Sequence, residues 1–169
     1  VISLMKALLS NYQEFQRKEY EFTKCQIISS GSTSLVYRGI DKKNNDNPVA
    51  IKVLKKEYLK FGEISLCSLS REIANLTSLK HKYIADFIGY VISEKESEIW
   101  IITKYYEFGS LYDINLNGYF YMDNVKIDID GAMKTIIATK IAEVMDYIHS
   151  CGIINRDLKT SIRQTEKDW

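Results

Sequence analysis

Three runs rich in β-branched and aromatic residues stand near the front of the chain, at 22–29, 34–40 and 49–54. They are separated by "SGST" and by the polar loop "DKKNNDNP", and they read as strands. Pro48 stands just ahead of the third run, where a strand can begin without losing a ladder bond. Ile64, Leu69, Ile73, Leu76 and Leu79 then recur at spacings of three to five, which predicts an amphipathic helix with one buried stripe. Two more strands are predicted at 84–92 and 99–103. The second half reads as helical, most clearly in "AMKTIIATKIAEVMDYIHS", where Met133, Ile136, Ile137, Ile141, Val144, Met145 and Ile148 line a broad apolar face. Five strands with one inserted helix, then mostly helix, is an α+β pattern split into two lobes.

Composition narrows the function classes. The chain has 169 residues, enough for one domain or for part of a larger one. A formal net charge of +1 gives no reason to expect a nucleic-acid or anionic-membrane partner, and Lys55-Lys56 reads as a solvated face. The three cysteines, Cys25, Cys67 and Cys151, lie far apart, and the two histidines, His81 and His149, give no zinc spacing. Buried or idle thiols in a reducing, cytoplasmic setting are expected, with no disulfide framework. The opening "VISLMKALLS" is too short for a membrane span and lacks a signal-peptide pattern. Residues 1–19 therefore read as a flanking segment, either a helix of its own or the end of something longer. The acidic stretch "KIDIDG" fails as a calcium loop, because Lys126 and Ile137 fall where carboxylates are needed.

Chemistry first shows in the strand "VAIKVL". Alternation puts Ala50, Lys52 and Leu54 on one side and Val49, Ile51 and Val53 on the other. A lysine in an apolar strand usually snorkels to water. Twenty residues on, however, Glu72 flanks the buried stripe of the helix, and a carboxylate there would keep Lys52 charged and aimed at an anion. Upstream, "ISSGSTSLVYRG" joins the first two strands through small residues that let backbone N–H groups approach phosphate oxygens. Alone, such a turn is an ordinary hairpin loop. Its order relative to Lys52 and Glu72 gives it weight.

Together these motifs resemble a eukaryotic protein kinase catalytic domain, whose signature is G-x-G-x-x-G-x-V, V-A-I-K, a helix Glu and H-R-D-x-K-x-x-N. Aligned on Val36, the glycine positions hold Ser29, Gly31 and Ser34. "VAIK" matches in full, "REI" carries Glu72, "IITKYYEFGSL" resembles the last small-lobe strand and hinge, and "NRDLKTS" resembles the catalytic loop. The resemblance implies an ATP site in which Ile28, Val36 and Ala50 pack on adenine and Gly31 covers the phosphates. Lys52, paired to Glu72, would contact the α- and β-phosphates. Thr103 would be the gatekeeper, with backbone groups of Lys104 and Tyr106 offered to adenine. Asp157 would accept the proton of the acceptor hydroxyl, and Lys159 would steady the transferring phosphoryl group. Lys159 within "RDLKTS" is similar to serine/threonine and tyrosine-kinase-like enzymes. The implied layout is a small lobe over 20–103, a hinge and partial large lobe over 104–161, and a divergent tail over 162–169.

The pattern also breaks. Asn155 replaces the histidine of H-R-D, and Ile162 replaces the asparagine that ligates magnesium in the family; a hydrocarbon side chain offers a hard cation no oxygen. "RQTEKDW" is polar where an apolar strand is expected, and no D-F-G follows. The expectation is a kinase domain truncated after its catalytic loop, with ATP and a protein substrate as family partners. Its magnesium ligands are missing, and catalysis by this chain alone is not expected. The competing expectations are a pseudokinase that holds nucleotide or a protein partner without turnover, and a gene fragment without function.

Overall fold

The structure, a computed structural model, describes residues 2–54, 63–107, 118–122 and 125–154, without the side chains of residues 2, 63–65, 120–122 and 125. The described chain forms two compact units. One holds the residues up to Ser78 together with Asp86–Tyr105; the other holds Leu79–Ala85 and the chain from Tyr106 onward.

The first unit is built on a five-stranded antiparallel sheet. Its strands are β1 (Phe22–Ser30), β2 (Ser34–Asp41), β3 (Asn47–Leu54), β4 (Phe87–Ser93) and β5 (Glu98–Lys104), in the order β1-β2-β3-β5-β4. All five predicted strands are present. The polar loop between β2 and β3 turns through Asn45 and Asp46, whose φ of 53° and 55° lies in the left-handed region that Asn and Asp tolerate best among side-chain-bearing residues. Pro48 sits one residue inside β3 rather than ahead of it, opposite Ile40. The fourth strand starts at Phe87 rather than at residue 84, because Ile84 donates its N–H to the His81 carbonyl in a turn. Irregular pairing of β1 between Lys24 and Gln26, and again between Ile27 and Ser29, marks bulges that bend this edge strand.

Alternation gives the sheet two apolar faces. Val49, Ile51 and Val53 join Phe22, Trp100 and Ile102 in one core. Leu54, Tyr90, Ile99 and Ile101 face the other way, onto helix α2 (Glu63–Ser78) through its Leu66, Leu69 and Ile73. The second core also takes Met5 and Leu9 from the front of the chain, around helix α1 (Ile2–Leu8). The segment read as flanking is thus part of the first unit: it buries two large side chains. Their signal in the sequence is a single short turn of apolar spacing, too brief to show a periodic stripe.

The second unit departs from the expectation of helix. Strands β6 (Tyr119–Met122) and β7 (Val125–Asp128) pair as a hairpin ahead of helix α3 (Gly131–Ser150). Asp130 caps α3, its carboxylate accepting from the Met133 N–H at 2.8 Å. Of the apolar face predicted for this helix, Val144 and Ile148 are buried, whereas Ile136 is exposed. Within this unit the Tyr147 hydroxyl accepts from the Lys80 N–H at 2.9 Å, and its ring stacks on His81 at 5.0 Å. The three cysteines are free and exposed, so of the two expected states, buried or idle, burial does not hold. Lys55 and Lys56 lie outside the described residues.

Candidate functional site

Register fixes the site. Val36 stands opposite Lys52, and Lys52 opposite Ile101; Arg38 stands opposite Ala50, and Ala50 opposite Thr103. Residues directly opposed on antiparallel strands share a face. Val36, Ala50, Lys52 and Thr103 therefore lie on the face that carries α2. Leu54 and Ile101 on that face are sealed beneath the helix, while Val36, Ala50 and Thr103 are only half-buried. The result is a strip of small and apolar side chains on the helix-bearing face, with a lysine at one end.

That lysine meets its predicted partner. Lys52 Nζ donates to Glu72 Oε1 at 2.6 Å, a distance that joins β3 to α2 across twenty residues of sequence. Glu72 reaches it because it adjoins the buried Ile73, on the flank of the helix's apolar stripe. The two side chains are 33% and 38% exposed. An ion pair this open contributes at most about 1 kcal/mol to folding. Its consequence is positional: it fixes an ammonium beside the strip, within reach of solvent.

The turn between β1 and β2 spans residues 31–33, closed by Gly31 N–H donating to the Ser34 carbonyl at 2.9 Å. A Cβ added at Gly31 would meet that oxygen at 3.7 Å, ordinary contact, so the space over the turn is open. Ile28 lies half-buried at the second bulge of β1. At the far end of β5, Lys104 N–H donates to the Asp86 carbonyl at 2.9 Å, so this amide closes the sheet end. Tyr106 is half-buried and belongs to the second unit.

The family described as Protein kinase domain matches residues 22–161. This chain belongs to the protein kinase family. It is similar to proteins named as kinases: a probable serine/threonine-protein kinase of Dictyostelium discoideum is 33% identical over 152 residues, 89% of this chain and 15% of that protein. A second one from the same organism is 37% identical over 145 residues, 84% of this chain and 32% of the relative. The human serine/threonine-protein kinase TNNI3K is 31% identical over 162 residues, 94% of this chain and 18% of its own length. The chain thus spans less than a third of the length of these relatives. In this kinase domain, the sheet and α2 correspond to the small-lobe architecture expected from the sequence.

Asp157 and Lys159, together with Asn155 and Ile162, lie outside the described residues. Among the described residues no group of three His, Cys, Asp or Glu side chains could hold a metal ion. Where the family places its asparagine ligand this chain has Ile162, whose hydrocarbon side chain does not fit magnesium. A nucleotide fits better: the strip offers apolar surface for a base, and Lys52 offers a fixed cation for a phosphate. Sequence reading did not find the network around Lys24. Its ammonium pairs with Glu96 at 2.7 Å and Glu98 at 3.1 Å and lies 4.4 Å from the Trp100 ring centroid. Only the fold brings residue 24 to residues 96–100.

Proposed function

We propose that this chain holds ATP on the strip beside Lys52, as the nucleotide-binding part of a protein serine/threonine kinase. The observation that carries the reading is the 2.6 Å contact between Lys52 and Glu72. When bound, ATP supplies the phosphoryl group that is passed to a protein hydroxyl. Val36, Ala50 and Ile28 would pack against the base, with Thr103 at the end of the strip; the family role of Lys104 and Tyr106 is to offer backbone groups to adenine. Gly31 leaves room for phosphate oxygens to approach the β1–β2 turn. Lys52, kept charged and oriented by Glu72, meets the negative charge of the α- and β-phosphates. Asp157 takes the proton of the acceptor hydroxyl, and Lys159 offsets charge on the transferring group. In this reading residues 20–103 form the small lobe and 104–161 the hinge and start of the large lobe. Three exposed free thiols suit a reducing, cytoplasmic setting. Among the described residues, no helix is long and apolar enough to cross a membrane.

The test is thermal unfolding of the whole chain with and without millimolar ATP. A ligand at 100 times its Kd stabilises the folded state by about 2.7 kcal/mol, so the melting temperature should rise by several degrees. The rise should disappear in Lys52→Ala and survive in Asp157→Ala. No shift in the unsubstituted chain, or an equal shift in Lys52→Ala, overturns the reading.

A further inference from the structure

Helix α2 is held from two sides. Its inner stripe packs on the sheet, and α1 lies across it from the front of the chain: Met5 and Leu9, 0% and 1% exposed, share a core with Leu66, Leu69 and Ile73. Ser70 of α2 also donates its hydroxyl to the Leu8 carbonyl at 3.4 Å.

The segment after α1 is tied down as firmly. Gln16 bridges Tyr90 in parallel, and the Arg17 N–H donates to the Tyr90 carbonyl at 2.8 Å. The Arg17 guanidinium reaches both oxygens of Asp41, at 3.2 and 3.3 Å, at the end of β2. One end of this segment thus grips the helix that carries Glu72. The other grips the sheet that carries Lys52.

An ion pair as open as Lys52–Glu72 is too weak to fix a helix against sliding or rotation. The burial of Met5 and Leu9 removes far more apolar surface from water, and it acts on α2 itself. We propose that Met5 and Leu9 are positioning residues for the nucleotide site: docked α1 sets the placement of α2 and thereby holds Glu72 on Lys52. This inference rests on the nucleotide reading above. It carries a reciprocal consequence: if docked α1 favours the paired state, and ATP prefers that state, then ATP must favour docked α1.

The experiment uses the full chain. Met5→Ala with Leu9→Ala should weaken ATP binding, measured by calorimetry, about fivefold or more. The same pair of changes should add nothing once Glu72→Ala is present, since α1 acts through that carboxylate. Val91→Ala, in the core on the opposite face of the sheet, should lower the melting temperature without changing ATP affinity.

Where the double variant does not fold, the unsubstituted chain supplies the readout. Amide hydrogen exchange in α1 should slow when ATP is added, and should not respond to ATP in Lys52→Ala. Unchanged affinity in a folded double variant overturns the inference. So does a full additional loss in the Glu72→Ala background, or ATP protection of β3 without protection of α1. Failure of ATP to protect either β3 or α1 is a separate outcome that removes the nucleotide reading and this inference with it.

Discussion

Arg17 and Asp41 show how much a single pair can hold. Asp41 is 1% exposed, and its carboxylate accepts from Arg17, from the Lys43 N–H at 3.1 Å and from Asn44 Nδ2 at 2.7 Å. Removing Arg17 leaves a buried charge without its cation, a loss of about 3–5 kcal/mol; urea unfolding of Arg17→Ala should show it, and a loss below 1 kcal/mol would contradict the geometry. Glu21 belongs to the same cluster. Burial pushes its carboxyl up, but the hydrogen bond and charge of Arg17, the Lys18 N–H and the charge of Lys43 together outweigh burial and hold it below the ordinary glutamate range. Because the folded value is the lower one, the stabilisation is complete above the unfolded value of about 4.3 and is lost as pH falls through the depressed one. The urea midpoint should therefore decline below about pH 4.3, and more gently in Arg17→Ala. This cluster was not legible in the sequence. Residues 17 and 41 stand 24 apart, and no periodic element fixes where residue 17 points. Lys52 and Glu72 are 20 apart and were legible, because strand alternation aims one and a helical stripe aims the other.

Among the elements, β4 carries the most specific backbone demand. Gly89 has a φ of +155°, and a Cβ there would come within 2.5 Å of the Phe15 carbonyl oxygen. The close neighbour is backbone, so it cannot swing aside. Gly89→Ala should cost about 1–3 kcal/mol in urea unfolding from strain of this kind, and amides of residues 15–17 should exchange faster; an unchanged midpoint would mean the segment yields freely. Most strands could be read because β-branched residues alternate between turn signals. The β6–β7 hairpin was weakly legible, although Tyr119–Met122 and Val125–Asp128 are divided by two residues, Asp123 and Asn124, a recognisable hairpin spacing. Its runs are four residues each, and the strong helical pattern that follows drew the whole region toward helix.

For the whole molecule, the uneven distribution of core matters most. The first unit has an apolar cluster on each face of its sheet, whereas Val144 and Ile148 are the buried apolar side chains among the described residues of the second. Local stability follows local burial. In hydrogen exchange of the intact chain, α3 amides should exchange at least an order of magnitude faster than those of β3 and β5; equal protection would show that the two units unfold together. The fold class and the sheet face that carries Lys52 were legible because they rest on patterns repeated over many residues. The role of residues 2–17 was not, since it depends on contacts that form only after the sheet is assembled.

The bridge from Gln16 to Tyr90 has one more effect. In the order β1-β2-β3-β5-β4, strand β4 is a rim, and a rim presents hydrogen-bonding groups that a foreign strand could match. Gln16 and Arg17 already occupy that rim at Tyr90, and the bulges of β1 roughen the opposite one. The kinase sheet thus has one margin covered at Tyr90 and the other bent by bulges, two features that hinder the templating of neighbouring chains.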